Sequence, residues 1–496
     1  MLILILLCGF LVVDSYKILV FSPTISRSHM ISNGRIADEL AKAGHHVVLL
    51  EPDFLNISHT VQSSKVAHRM TVSGFSSILH DVIQGEYVQK HSNARRIRVL
   101  KSSFQDFLSR EDLIEKLRAE KFDAYFGEQI NLCGHGLAYI LGIKSHFWVS
   151  SCPISDYMAW LLGMPQPSSY IPSLIGMDIT HRPSYWERAQ NIWSTFLYVQ
   201  FALEATEMFR KRYGANFPNL EAIAADSDMV FVNTDEFVDF PRPTLPHVVH
   251  IGGLGEGSSS KRSKGVVYFS LGTLVNTSSL PAFAMRAVVD AVKKTPDYHF
   301  ILVTDSRDHF TRHLSEALPN VFLCSWAPQA ALLSHPRLQA FITHGGYNSI
   351  MEASRYAVPL VTIPFYFDQV SLRNSRAAEL NGWGIPVNRF SLPSKWQLLK
   401  SNFCRYKQAA VRISTLIRTK PFKSSEKLIK YTEFVLMNGG VKELLAEGRR
   451  LPFLQYHNLD IFIPLGVAFI FACWIFFRLL CTIFFIAFPP VKQKLQ

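Results

Sequence analysis

The chain has few cysteines, and their spacing excludes a common type of metal-binding module. Only seven cysteines occur in 496 residues. Three of them lie in apolar runs at the two chain ends, and the other four are far apart in the sequence: Cys133, Cys152, Cys324 and Cys404. This spacing is not that of a zinc site, and four cysteines do not define a disulfide pairing.

The sequence also lacks the patterns of two classes of protein that bind anionic ligands. Basic residues outnumber acidic residues by 51 to 39, and the formal net charge is +12, which suits an anionic ligand or an anionic membrane surface. No nucleic-acid-binding motif and no interleaving of aromatic and basic residues accompany this charge. The first strand turn has no G-x-G-x-x-G, which argues against a dinucleotide-dependent oxidoreductase. We therefore expect an anionic partner other than nucleic acid or a dinucleotide.

Residues 344–369 predict a ligand site. They follow an apolar run at residues 337–343, which is typical of a buried strand, and they begin with His344 and two glycines. A helix-forming segment at residues 347–356 and a second apolar run at residues 358–363 come next. The pattern indicates a strand, a turn, a helix and a second strand. Ligands bind beyond the carboxyl ends of parallel strands, so the polar residues after both strands are expected at one site.

The chemistry of this stretch fits a nucleotide sugar. The glycines and the helix N-terminus after His344 offer N–H groups and a partial positive charge to a phosphate. Glu352 lies four residues after Asn348 on the same helix face, where its carboxylate could reach ribose hydroxyl groups. Asp368 and Gln369 follow the second strand and could bind the hydroxyl groups of a sugar.

The two ends of the chain predict a membrane-anchored protein on the secretory route. Residues 1–15 resemble a signal peptide, although no basic residue precedes the apolar core. Residues 461–488 are apolar except for Arg478 and are long enough for a transmembrane helix. The tail at residues 489–496 carries two lysines and no acidic residue, which places it in the cytoplasm.

These features predict a single-pass type I protein whose main body is lumenal. Lys492 and Lys494 resemble a dilysine signal for retrieval to the endoplasmic reticulum. Sequons at Asn56 and Asn276 agree with a glycoprotein.

The body of the chain predicts two doubly wound α/β domains that face one cleft. We expect an N-terminal domain at residues 16–240, a Pro-, Gly- and Ser-rich linker at residues 241–264, and a C-terminal domain with closing helices at residues 265–450. In the first domain, a strand at residues 17–21 is followed by a polar loop that contains His29, and a helix is expected from Gly34.

Several motifs resemble those of the UDP-glycosyltransferase family. WAPQ at residues 326–329, FITHGGYNS at residues 341–349 and FDQ at residues 367–369 are similar to the family signature. FPRPTLPHVVHIGGL at residues 240–254 and VVYFSLGT at residues 266–273 are similar to family motifs as well. The resemblance extends over nearly the whole chain.

This resemblance implies a GT-B fold in which the C-terminal domain holds the UDP-sugar and the N-terminal domain holds the acceptor. It implies the following donor contacts: uracil with Trp326 and Gln329, the nucleotide end with Ser270 and Thr273, the diphosphate with Thr343, His344, Asn348 and Ser349, the ribose with Glu352, and the sugar with Asp368 and Gln369.

The same resemblance implies that His29 is the catalytic base. A histidine near neutral pH can take the proton of an acceptor hydroxyl group as the oxygen attacks the sugar. The family usually pairs this histidine with an aspartate, and the matching position here holds Glu128. A glutamate can orient the imidazole in the same way, but it is one methylene longer.

No metal and no cofactor other than the UDP-sugar co-substrate is expected. Asp226 and Asp228 form a D-x-D sequence that resembles the metal motif of a different glycosyltransferase architecture. They precede a strand at residues 229–233, however, and so lie at the opposite edge of the sheet from the expected cleft. We interpret them as part of a helix-to-strand turn.

The sequence therefore predicts an inverting glycosyltransferase that moves a hexose to a small lipophilic hydroxyl compound, as in detoxification. Asn233 stands where glucuronosyl members of the family often carry arginine, which favours UDP-glucose and leaves UDP-glucuronate open. An aromatic, proline-rich segment at residues 153–185 suits an apolar acceptor wall. The alternative is a catalytically impaired UDP-sugar-binding homologue, suggested by Glu128 and a short linker. The sequence leaves a homo-oligomer open.

Overall fold

The computed structural model of the chain divides into two units, Met1–Leu445 and Ala446–Gln496. The structure describes residues 15–76, 102–130, 132–174, 182–200, 205–255, 265–273, 275–364, 373–387 and 403–487.

Among the described residues, the first sheet contains seven parallel strands in the order β3-β2-β1-β4-β5-β6-β7. Short runs of branched and aromatic apolar residues form these strands, because such side chains pack well on both faces of a covered sheet. The strands are β1 Lys17–Phe21, β2 His46–Pro52, β3 His68–Val72, β4 Ala124–Glu128, β5 Ser145–Ser150, β6 Met229–Val232 and β7 Val248–His250.

The second sheet, in the part of the chain that the structure describes, contains six parallel strands in the order β10-β9-β8-β11-β12-β13. In both sheets the order reverses beside the first strand of the domain, which defines a doubly wound topology. The strands are β8 Val266–Ser270, β9 His299–Val303, β10 Val321–Cys324, β11 Leu338–Thr343, β12 Leu360–Thr362 and β13 Gly384–Pro386.

Helices connect these strands and cover both sheets. The helices of the first unit that precede β8 are α1 Arg27–Lys42, α2 Glu111–Ala119, α3 Cys133–Ile140, α4 Asp156–Leu161, α5 Tyr185–Gln200, α6 Ala205–Tyr213 and α7 Leu220–Ala225. Those that follow β8 are α8 Ala282–Lys293, α9 His309–Ser315, α10 Gln329–Ser334, α11 Tyr347–Arg355, α12 Arg373–Leu380, α13 Phe403–Arg418 and α14 Ser424–Asn438.

The first sheet is buried on both faces, and one of its covering helices comes from the far end of the unit. Leu19 belongs to an apolar cluster on one face of the sheet. Ile18 and Val20 belong to a second cluster on the other face, and this cluster includes Leu428 and Val435 of α14. The closing helices predicted to belong to the C-terminal domain, at residues 265–450, therefore include one that completes the N-terminal core.

The predicted linker at residues 241–264 is wrong over part of its length. Val248–His250 form β7, which pairs in parallel with β6. Prolines and glycines flank this run of β-branched residues, and this composition is typical of a linker. The apolar run itself adds a strand because Val248 and Val249 are buried against the sheet.

The first helix begins at Arg27, seven residues earlier than the sequence predicted. Gly34, the predicted start of the helix, lies inside it. A Cβ atom at Gly34 would lie 1.8 Å from the carbonyl oxygen of Ser63, so glycine is needed there for a close contact between the helix and a neighbouring segment. His29 consequently lies in the first turn of α1 instead of in a loop, and Met30 beside it is fully buried.

The described part of the second unit contains two α-helices. These are α15 Phe453–Tyr456 and α16 Leu459–Ala487. Within α16, Leu459–Phe484 has a mean hydropathy of 2.3 and none of its most apolar window is buried. By length and composition this helix can cross a membrane, as residues 461–488 were predicted to do.

Buried histidines predict that the first unit loses stability in acid. Burial lowers the pKa values of five histidines, that of His344 to about 4 and that of His135 well below its ordinary value: His45, His135, His146, His250 and His344. The unfolded chain binds protons on these side chains near pH 6.5, whereas the folded chain does not. The free energy of unfolding is therefore expected to be highest above pH about 6.5 and to fall between about 6.5 and about 4.

Denaturant unfolding of the purified protein at pH about 7.5 and about 5 measures this effect. His135→Phe is expected to reduce the dependence of stability on pH, because it removes one of these groups. His313→Phe serves as the control, since the side chain of His313 is 85% exposed. Equal stability at the two pH values would contradict the prediction.

Candidate active site

Three neighbouring strands of the first sheet bring His29, Glu128 and Ser151 together. Glu128 is the last residue of β4, which lies between β1 and β5. His29 follows β1 in the first turn of α1, and Ser151 follows β5 directly. Because the strands are parallel, all three side chains lie at the carboxyl edge of the sheet.

Both oxygens of the Glu128 carboxylate have hydrogen-bond partners. His29 Nδ1 lies 2.8 Å from Glu128 Oε2, and the hydroxyl group of Ser151 donates to the same oxygen. The backbone N–H of Gln129 donates to Oε1 at 2.9 Å. The extra methylene of glutamate therefore does not prevent contact with the histidine, and the side chain of Glu128 is only 3% exposed.

These contacts keep Glu128 ionised. Burial alone raises the pKa of Glu128, but the charge interaction with His29 and the hydrogen bonds from His29 and Ser151 lower it below its ordinary value. An ionised carboxylate accepts a hydrogen bond from Nδ1–H of the imidazole. In a neutral ring the free lone pair is then on Nε2. This tautomer has the form that a general base needs.

The carboxyl edge of the second sheet carries the predicted phosphate residues. Ser270 ends β8 and pairs in register with Thr343, which ends β11. His344 follows directly, and Thr273 lies half-buried in the turn after Ser270. The edge therefore brings the residues after β8 next to the start of the loop before α11.

His344 is held between two glycines. A Cβ atom at Gly272 would lie 2.3 Å from His344 Cε1, and one at Gly346 would lie 2.4 Å from Nε2. The imidazole thus fits only because both positions lack side chains. Burial lowers the pKa of His344 to about 4, so the ring is neutral near pH 7 and can donate one N–H to an anion without carrying a charge.

The predicted ribose and uracil residues also lie near each other. Gln329, the first residue of α10, donates from Nε2 to Glu352 Oε2 at 2.9 Å and to Ser349 Oγ at 3.2 Å. Glu352 is buried in α11, whereas Trp326 is 67% exposed. An exposed indole three residues before Gln329 suits a stacked base, and the carboxylate held by Gln329 suits a hydrogen-bonded ribose.

The two sheet edges face each other, and α1 contacts α11 across the cleft. Asn348 Nδ2 donates to the carbonyl oxygen of Ser28 at 3.3 Å and lies 3.2 Å from Ser32 Oγ. Arg35 Nη2 donates to Glu352 Oε1 at 3.2 Å. The helix that carries His29 is therefore in contact with the helix that carries two of the predicted donor residues.

Three residues at the cleft belong to no motif of the sequence: Ser32, Arg35 and Ser151. Ser32 and Arg35 lie three and six residues after His29, a spacing that puts them on one side of a helix. The spacing carries this meaning only within a helix, and the predicted helix began at Gly34, after both His29 and Ser32. Ser151 belongs to no recognisable motif. It lies beside Glu128 because β4 pairs with β5, which ends just before Ser151.

Asp368 and Gln369, the predicted sugar ligands, lie outside the residues that the structure describes. Asn233 is buried at the cleft, where its Nδ2 donates to Ser32 Oγ at 3.2 Å and to Asn348 Oδ1 at 3.3 Å. Its two partners are uncharged.

The D-x-D sequence has a structural role. Asp228 accepts hydrogen bonds from the backbone N–H groups of His146 and Val441 at 3.0 and 3.2 Å, and it forms an ion pair with Lys442 at 2.8 Å. Within the described ranges no group of three or more metal-binding side chains occurs. The absence of a metal requirement stays a prediction.

Two doubly wound sheets that face a common cleft define the GT-B fold. Solved structures share this fold at low sequence identity. UGT2 of Phytolacca americana, complexed with UDP-2fluoro-glucose and pterostilbene, matches 85% of this chain and 100% of its own with a TM-score of 0.59 and 16% identity. Os79 of O. sativa in complex with U2F and trichothecene has the same coverage and identity and a TM-score of 0.61. The predicted fold class is confirmed.

The chain belongs to the family described as UDP-glucoronosyl and UDP-glucosyl transferase, which matches residues 16–488. Putative UDP-glucuronosyltransferase ugt-48 of Caenorhabditis elegans is 43% identical over 91% of this chain and 92% of that protein. UDP-glucuronosyltransferase 3A2 of Homo sapiens is 28% identical over 92% of this chain and 91% of that protein. The chain is therefore an enzyme of the UDP-glycosyltransferase class.

The contact between His29 and Glu128 predicts that both the charge and the length of Glu128 matter for transfer. Glu128→Gln removes the charge that would stabilise a protonated His29, and we expect kcat to fall about 10³-fold. Glu128→Asp draws the carboxylate back by one methylene from His29 Nδ1, and we expect a loss of about tenfold or more.

Initial rates of transfer to a phenolic acceptor at saturating donor measure both effects. Glu115→Gln, at a position where the side chain is 69% exposed on α2, is the matched control. Unchanged kcat in Glu128→Gln would show that this carboxylate does not support the reaction.

Proposed function

We propose that the protein is an inverting glycosyltransferase that moves a hexose from a UDP-sugar to the hydroxyl group of a small lipophilic acceptor. The observation that carries this proposal is the 2.8 Å contact between His29 and the buried Glu128 at the sheet edge that faces the donor residues. In this proposal His29 is the base and Glu128 supports it. The facing edge of the second sheet offers uncharged N–H donors for a diphosphate.

In the proposed reaction, the acceptor is deprotonated as it attacks. His29 Nε2 takes the hydroxyl proton, and the acceptor oxygen forms a bond to the anomeric carbon. The bond from that carbon to the diphosphate oxygen breaks, and UDP leaves with the bonding electrons. Glu128 stabilises the imidazolium that forms.

The second domain stabilises the departing UDP. Neutral His344, Thr343, Asn348, Ser349 and the N–H groups at the N-terminus of α11 are the proposed diphosphate ligands. Glu352 would bind the ribose, Trp326 and Gln329 the uracil, and Ser270 and Thr273 the nucleotide end. Asp368 and Gln369 would bind the sugar. No step needs a metal or a cofactor beyond the UDP-sugar.

The donor is proposed to be UDP-glucose. Asn233 lies at the cleft with uncharged partners, Ser32 and Asn348, so it offers no cation to a sugar carboxylate. The relatives named above are glucuronosyltransferases, and UDP-glucuronate is accordingly the alternative donor that a test has to include.

The proposed location is the membrane of the endoplasmic reticulum. Leu459–Phe484 would be the single span, with a cleaved signal peptide before it, the two domains in the lumen and the basic tail in the cytoplasm. An anchor would keep the acceptor site close to lipophiles dissolved in the bilayer.

Product mass spectrometry tests the activity, the donor and the base in one experiment. Membranes that contain the protein are incubated with equal amounts of UDP-glucose and UDP-glucuronate and with a panel of phenols and sterols. We expect glucosides as the main products. His29→Ala is expected to lower kcat by about 10²- to 10⁴-fold while the protein still binds UDP, and His313→Ala, an exposed histidine, is the control.

Each contrary outcome has a separate meaning. Glucuronides as the main products would contradict the donor proposal. UDP binding without transfer to any acceptor would favour the impaired homologue. Unchanged transfer by His29→Ala would contradict the assignment of the base.

A further inference from the structure

Glu352 is fixed by two side chains from opposite sides of the cleft. Gln329 of the second domain donates to Oε2 at 2.9 Å, and Arg35 of α1 donates to Oε1 at 3.2 Å. The side chain of Glu352 is only 9% exposed and that of Arg35 is 24% exposed. The carboxylate thus has one amide partner on its own domain and one cationic partner on the domain that carries His29.

The aliphatic stem of Arg35 runs close to Gly255. A Cβ atom at Gly255 would lie 3.2 Å from Arg35 Cγ and 3.5 Å from Cδ, so a side chain at position 255 would crowd the stem. The positive φ of 71° at Gly255 favours glycine at this contact. The glycine thus leaves room for the side chain whose guanidinium group reaches Glu352.

A buried carboxylate needs this cation in order to keep one orientation. Taking a charge out of water costs free energy, which a charge-assisted hydrogen bond offsets. Without Arg35, Gln329 would be the side-chain donor that remains on Glu352 among the described residues, and one oxygen would lose its cationic donor. The carboxylate would then turn toward other donors instead of facing a ligand.

We propose that Arg35 is a positioning residue of the donor site that the acceptor-side domain supplies. It acts through Glu352, whose carboxylate it orients to accept hydrogen bonds from ribose hydroxyl groups. The inference rests on the proposed role of Glu352 as the ribose ligand. It also means that the nucleotide site is complete only when α1 lies against α11.

Arg35→Met in the full-length protein tests this role, because methionine keeps much of the apolar stem and removes the cation. We expect the Kd of UDP and the KM of the UDP-sugar to rise about tenfold, the loss of one charge-assisted contact. The KM of the acceptor and the kcat at saturating donor are expected to stay within about twofold of the wild type.

Two further measurements separate this role from a general structural role. Uridine is expected to lose the same factor in affinity as UDP, because the ribose and not the phosphate is affected. In Arg35→Met combined with Glu352→Gln, the Kd of UDP is expected to equal that of Glu352→Gln alone, because Arg35 acts only through Glu352.

Lys42→Met is the matched control. Lys42 lies on the same helix and pairs with Glu39 of α1 at 2.7 Å, away from the cleft. Its removal is expected to leave every constant unchanged. Thermal unfolding is recorded for each variant. If Arg35→Met does not fold, Arg35→Lys replaces it in the test. Because lysine keeps the charge, the expected loss of affinity for UDP is then smaller, about threefold.

Wild-type affinity for UDP in Arg35→Met would overturn the inference. So would a loss for UDP without a loss for uridine, or additive losses in the double variant. A wild-type protein that binds no UDP would instead contradict the proposed function, because that failure is visible before any variant is compared.

Discussion

The arrangement of the cleft depends on how helix α1 is held. On its own domain, His29 in its first turn is bound to Glu128 at the end of β4. Across the cleft, Ser32 and Arg35 of the same helix contact Asn348 and Glu352 of α11. One helix therefore carries the proposed base and also touches the proposed nucleotide ligands. The distance between the base and the donor is set by this short segment, so that chemistry depends on the two domains being closed against each other.

The surroundings of the two histidines at the cleft give them different properties. His29 Nδ1 lies 2.8 Å from the carboxylate of Glu128, which orients the ring. His344 is enclosed by glycine backbone, and burial lowers its pKa to about 4. The first environment suits a residue that accepts a proton, and the second suits a neutral hydrogen-bond donor to an anion. The sequence shows only that each of these two histidines follows a strand, whereas the surroundings of each ring distinguish their chemistry.

Much of the fold could be predicted from the sequence because parallel, doubly covered strands produce apolar runs at regular intervals. The position of Glu128 at a strand end and that of His344 after β11 followed from the same pattern. The start of α1 could not be predicted, because Gly34 is required by its contact with Ser63, and a sequence does not show contacts of that kind. The roles of Arg35 and Ser151 could not be predicted for the same reason. The packing of α14 against the first core joins residues about 400 positions apart in the chain, which the sequence does not show either.

The stereochemistry of the product tests the central claim most directly. If His29 on one domain activates an acceptor that attacks the face opposite the departing UDP, an α-linked UDP-hexose must give a β-glycoside. The anomeric coupling constant of the purified product, measured by proton NMR, reports this configuration. A β-product is the result that the cleft predicts. An α-product would contradict direct displacement between the two domains, whichever acceptor is used.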